Sequence, residues 1–186
     1  MSPFPTLEQL AERVREEGPP LVVAEEATAG EHGRGGSPIG ELVAAGPRTG
    51  ERGAEYAFVV EAVREGYLCH YGSPRVLETV DQDLALLAGD LFYAIGISGL
   101  AQLDDLESTG ILSDLIRVAA DLQAAGRGDL AEVLWLVQLV ALSCGKDAEY
   151  AVAIRALEAG ESNAAEALID WCTRTVVTNQ LGREFD

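Results

Sequence analysis

Four carboxylates have the spacing that divalent-cation chemistry asks for. Glu61 and Glu65 stand one turn apart on one helical stripe, and Asp83 and Asp90 stand two turns apart on the next. Oxygen ligands from two facing helices suit Mg²⁺, a hard cation that takes carboxylates and keeps several of its waters. The competing reading is a pair of solvated faces, because a chain with 31 acidic residues produces such spacings by composition. Asp104 and Asp105 fall at a helix junction, where N-capping accounts for them.

Other chemistries find little to work with. The two histidines are His32 and His70, and apart from adjacent Cys69 neither has a His or Cys at ligand spacing. No transition-metal site or Cys–His nucleophile pair follows. His70 is read as a favourable charge near a helix C-terminus. The glycines of GRGGSPIG do not form the GxxxxGK[ST] pattern and follow no strand, so they make no phosphate cradle. Cys69, Cys144 and Cys172 are odd in number and far apart, which predicts reduced thiols of a cytoplasmic protein. No catalytic residue emerges, and Mg²⁺ is the one cofactor these residues could hold.

The elements that must position these groups read as helices throughout. Thr6 and Gln9 form a capping box, Leu7, Leu10, Ala11 and Val14 follow at helical spacing, and Gly18 with Pro19 and Pro20 ends the run. From 24 to 53 the chain is rich in glycine and lacks aromatic residues, which predicts a flexible segment that adds nothing to the core. A helical stripe then runs from Ala54 to His70, and Tyr71-Gly72-Ser73-Pro74 ends it. Val76 to Leu103 reads as one long core helix. Gly89 and Gly96 share a face of it, and each costs about 1 kcal/mol against alanine. That expense points to another helix, or a ligand, lying close against the backbone. Ile111 to Ala125, Asp129 to Cys144 with Asp129 as N-cap, Lys146 to Ala159 and Ser162 to Val176 complete an all-α helical bundle. The organisation expected is an N-terminal amphipathic helix over 1–20, the flexible segment over 24–53 and a helical domain over 54–186.

A net charge of −18 and a pI of about 4.3 repel phosphate backbones and anionic lipid surfaces, so nucleic acid is excluded as a partner. The same charge either attracts a basic partner or keeps an Ala- and Leu-rich protein in solution. The N-terminus has no leader pattern, and no stretch reaches the roughly 18 uninterrupted apolar residues of a membrane span. The apolar run Val133 to Cys144 reads as a buried helix. Trp135 and Leu139 on it are candidate interface anchors, with a plain core role as the alternative.

Tyr67-Leu-Cys-His-Tyr-Gly-Ser-Pro and Leu84-Ala-Leu-Leu-Ala-Gly-Asp-Leu-Phe-Tyr resemble the trans-type polyprenyl diphosphate synthases, whose metal-binding helix ends in a basic turn before a helix with an Ala-Gly-Asp motif. The similarity extends through IRVAADLQAAGRGDLAEVLW and Leu136-Val-Gln-Leu, covering roughly half the chain from Ala54 to Gly145. Ala88-Gly89-Asp90 is its specific part. The resemblance implies an isoprenoid-synthase-like bundle, here truncated. It also shows what is missing: the segments VVEAVREGYLCH and VQLVALSCG stand where that family has its two DDxxD motifs, and only Arg75 is left of the basic turn that grips pyrophosphate. Family catalysis needs those aspartates to hold Mg²⁺ against the leaving pyrophosphate. The reading that follows is a non-catalytic partner or regulatory subunit of a prenyl diphosphate synthase, assembling as a homo- or hetero-oligomer with a helical protein. Its rivals are a free-standing isoprenoid or quinone binder and a helical adaptor unrelated to prenyl chemistry.

Overall fold

The computed structural model describes residues 6–24, 39–78, 81–179 and 181, and it is all-α, with eight α-helices among them. The helices are α1 (Thr6–Glu17), α2 (Gly40–Ala44), α3 (Gly53–Tyr71), α4 (Gln82–Leu103), α5 (Leu106–Ala124), α6 (Ala131–Cys144), α7 (Ala148–Ala159) and α8 (Ala164–Thr178). The chain folds into two compact units. One comprises residues 1–41 and 52–106, the other residues 42–51 and 107–186.

In the first unit α3 is the central helix. Its apolar residues are spread around the whole circumference, so a helix with no polar face must be enclosed. α4 and α1 both pack against it, α4 the more extensively. Leu10, Ala11 and Val14 of α1 meet Ala62 and Cys69 of α3 and Ala88 and Phe92 of α4 in one apolar cluster. Glycines set the α3–α4 approach. A Cβ on Gly96 would stand 2.6 Å from Val63 Cγ2, and one on Gly89 2.5 Å from the His70 ring. On the facing side, a Cβ on Gly66 would strike the Tyr93 ring at 2.6 Å. The close helix contact expected at Gly89 and Gly96 is therefore present, and its partner is α3.

α4 is shorter than the long helix expected from Val76. Residues 79 and 80 lie outside the described residues, and Asp81 caps the helix by accepting the Leu84 N–H at 3.0 Å. Ahead of it the chain is extended: Val23 and Leu77 form an antiparallel bridge, with Ala24 N–H to Val76 O and Glu78 N–H to Val22 O both at 2.9 Å. Asp104 does not N-cap as expected. It ends α4 in the left-handed conformation, and Asp105 accepts the Tyr56 hydroxyl at 2.6 Å.

The second unit packs α8 against α6 and α7, with Leu134, Val137 and Leu142 of α6, Leu157 of α7 and Leu168 and Trp171 of α8 in its interior. Ile111, Leu112, Leu115 and Val118 of α5 are buried as well. Asp147 caps α7 and also accepts the Trp171 indole N–H at 3.0 Å. Asp129 falls in a 3-10 turn over Gly128–Leu130 and makes no cap to α6. Part of the glycine-rich segment, 25–38, lies outside the described residues. Its remainder departs from the expectation: Val43 and Thr49 are buried, and the Thr49 hydroxyl donates to Val43 O. Arg48 also donates to Leu142 O at 2.9 Å. A few apolar and hydrogen-bonding side chains suffice to order a glycine-rich stretch when each finds a partner.

Candidate functional site

Glu61, Glu65 and Arg75 make a buried charge cluster at the heart of the first unit. Both glutamates are fully enclosed and Arg75 is nearly so. Arg75 Nη2 lies 2.8 Å from Glu61 Oε2, a contact ion pair without hydrogen-bond angles, and Arg75 Nε donates to Glu65 Oε2 at 3.0 Å. The cluster holds two carboxylates against one guanidinium, so backbone dipoles must cover the difference. Glu65 Oε1 accepts the N–H groups of Arg75 at 2.6 Å and Val76 at 2.8 Å. Glu61 Oε1 accepts those of Ile39 and Gly40, the latter at 2.6 Å. Burial pulls the Arg75 pKa down, but Glu61 and Glu65 outweigh it and leave it raised, so the guanidinium keeps its charge.

This corrects the cation-site reading. Glu61 and Glu65 are together but already neutralised, while Asp83 and Asp90 are exposed on α4 and do not join them. Among the described residues no three His, Cys, Asp or Glu side chains gather where a metal could sit. Arg75, the remnant of a pyrophosphate-gripping turn in the resemblance, points into the protein and is held by the glutamates.

Asp90 has a different partner. Its Oδ1 lies 3.2 Å from His70 Nε2, and the His70 ring stacks on Tyr93 at 5.4 Å between centroids. The Ala88-Gly89-Asp90 motif thus borders one imidazole: Gly89 leaves room for the ring, and Asp90 stands beside its Nε2 without a hydrogen bond. Beside it, burial pushes the Cys69 thiol up to about 12, with Glu65 adding to the shift and Arg75 opposing it, so Cys69 is no nucleophile at neutral pH.

Trp135 and Leu139 are buried in the second unit and serve as core side chains, so the interface reading leaves them. Apolar surface appears on α4 instead. Both α4 and α6 are strongly apolar helices; α6 buries most of its apolar residues but leaves Leu136 46% exposed, whereas on α4 Leu86 and Leu87 are 38% and 67% exposed and Leu84 and Leu91 only half-buried. Among the described residues α4 alone is long and apolar enough to cross a membrane, with 28% of that stretch buried. Asp90 near its middle would cost about 3 kcal/mol there.

Next to this face lies an open trough of about 640 Å³, with Gln9 and Arg13 of α1 on one wall, Phe58 and Val59 of α3 as floor, and Ile95 and Ser98 of α4 opposite. No model of a known family, no curated protein and no solved structure matches the chain.

Proposed function

We propose that this chain is a non-catalytic helical subunit that holds a second helical protein against the open side of α4. The contrast between α4 and α6 carries the reading: of two helices of similar apolar content, α6 leaves one leucine, Leu136, exposed, while α4 leaves four, Leu84, Leu86, Leu87 and Leu91, exposed or half-buried. The non-catalytic part is supported by the fate of the reactive groups. The buried carboxylates bind Arg75, the Cys69 thiol is pushed up, and the half-buried His70 ring stacks on Tyr93.

The resemblance around Tyr67–Pro74 and Leu84–Tyr93 suggests the class of partner, a catalytic prenyl diphosphate synthase. Native mass spectrometry of the protein taken from its own cells tests this. The expected species is a stoichiometric complex with such a synthase, lost when Leu87 is changed to Ser. A monomer in both preparations defeats the reading. So does elongation of farnesyl diphosphate with isopentenyl diphosphate and Mg²⁺ by the purified chain alone.

The trough over Phe58 and Val59 favours a second reading, a binder of an isoprenoid or quinone chain. The same spectra would then carry a lipid mass on the isolated chain.

A further inference from the structure

Leu84, Leu87, Leu91, Ala94, Ser98 and Ala101 follow one another along α4 at alternating steps of three and four residues. That is the spacing of a coiled-coil seam. It lies away from the side that Gly89, Phe92, Gly96 and Leu100 bury, and every seam residue is exposed or half-buried. Asp83 and Asp90 each precede a seam leucine by one residue and so line one flank, both exposed to solvent. The opposite flank carries no charge: Ala88 belongs to the core cluster, Ile95 packs against it, and Gln102 follows them.

The flanks decide the occupant. Flanking positions of a helix pair face each other across the seam and set partner choice through their charges. Two copies of α4 paired antiparallel would bring the aspartate flanks together, and paired parallel would set aspartate against the uncharged flank. Neither arrangement brings a Lys or Arg to Asp83, or to Asp90, which has only His70 beside it, and two chains of −18 repel at any distance within the Debye length. A helix bearing Lys or Arg beside its own apolar seam satisfies both the leucines and the aspartates.

We infer that the α4 seam docks an amphipathic helix from a different protein, selected by basic residues flanking its apolar stripe. The inference rests on the subunit reading and specifies the chemistry of the partner. The second half of the seam carries only Ala94, Ser98 and Ala101, with the trough beside Ala94 and Ser98. That half fits a bulky apolar side chain on the docking helix.

The test uses the full chain and two fluorescently labelled peptides of three heptads. Both have leucine along the seam, one with lysine and one with glutamate on the flanks. Anisotropy at physiological ionic strength should show the lysine peptide binding at least about tenfold tighter. Leu87→Ser should abolish that binding, and the double change Asp83→Lys, Asp90→Lys should reverse the preference. All three positions are exposed, so unchanged thermal melting certifies the fold of each variant. Equal binding of both peptides, or a preference that survives the charge swap, overturns the inference and leaves the subunit reading standing. Lysine-peptide binding that ignores Leu87→Ser is attraction to the acidic chain at large and also overturns it. Binding of neither peptide rejects a docking helix of this kind, while native mass spectrometry separately decides the subunit reading. A dimer of the chain alone that Leu87→Ser dissolves makes the occupant a second copy and refutes the inference.

Discussion

Glu65 holds Arg75 twice, one carboxylate oxygen taking its backbone N–H at 2.6 Å and the other its Nε at 3.0 Å. Main chain and side chain of one residue are fixed by a single glutamate that has no access to water. Such an arrangement is fragile towards removal of one member, because the charge left behind stays buried.

Arg75→Met is accordingly expected to lower unfolding stability by about 3–5 kcal/mol. Urea denaturation measures it. The triple change Glu61→Leu, Glu65→Leu, Arg75→Met should recover much of the loss, since no buried charge remains. A single variant within about 1 kcal/mol of wild type would mean that water reaches the cluster.

Two helical glycines should respond in opposite directions. Gly96→Leu must displace Val63 and is expected to destabilise by about 1–3 kcal/mol through overpacking. Gly110 in α5 has nothing within 4 Å of an added Cβ, so Gly110→Ala should stabilise by up to about 1 kcal/mol. Thermal melts of the two variants displaced in the same direction would contradict the packing described for α3 and α4.

Thiol titration at pH 8 probes burial. Burial pushes both Cys69 and Cys172 up to about 12, with Glu65 adding to it at Cys69 and Cys144 adding to it at Cys172. The reactive thiolate is therefore nearly absent until the pH approaches that value. Cys144 is only half-buried; burial raises its thiol as well, with Arg48 opposing, but leaves it within reach of a reagent. One thiol is expected to react quickly with a disulfide reagent in the native chain and three in urea. Fast modification of all three without denaturant would show that the units open readily.

Tyr150 donates its hydroxyl to Gln138 Oε1 at 2.7 Å inside the second unit, where Gln138 Nε2 has no hydrogen-bond partner. Tyr150→Phe leaves the amide oxygen unsatisfied too, an expected loss of about 1–3 kcal/mol by calorimetry. Adding Gln138→Leu should restore most of it, because both polar members are then gone. Additive losses in the double variant would show that the hydroxyl is not what the amide depends on.

The helices were legible because periodic leucine and alanine, proline and glycine stops, and the Thr6 capping box act locally. Gly89 and Gly96 were legible as a close approach for the same reason: a glycine inside a helix is unfavourable unless something occupies the space. What packs there was not, since Val63 and His70 come from another helix. The carboxylate pair was found but its meaning was not. Glu61 and Glu65 at one-turn spacing look alike whether they face water, a metal or a guanidinium, and Arg75 reaches them only through the turn after α3. The exposed face of α4 was half visible. The three-four spacing from Leu84 to Ala101 is in the sequence, but which stripe of an apolar helix stays open depends on how α3 and α1 divide the others. Trp135 drew the interface reading because a large aromatic serves a core and an interface equally well, and burial alone decides between them.

The charge cluster also acts as a clasp on chain topology. Residue 24 donates its N–H to Val76 O, next to Arg75, and residue 39 donates its N–H to Glu61. Ala24 is thus held by the main chain beside Arg75, and Ile39 by the Glu61 side chain. A change that breaks the cluster is therefore felt at residues 24, 39 and 75 together, three points far apart in the sequence.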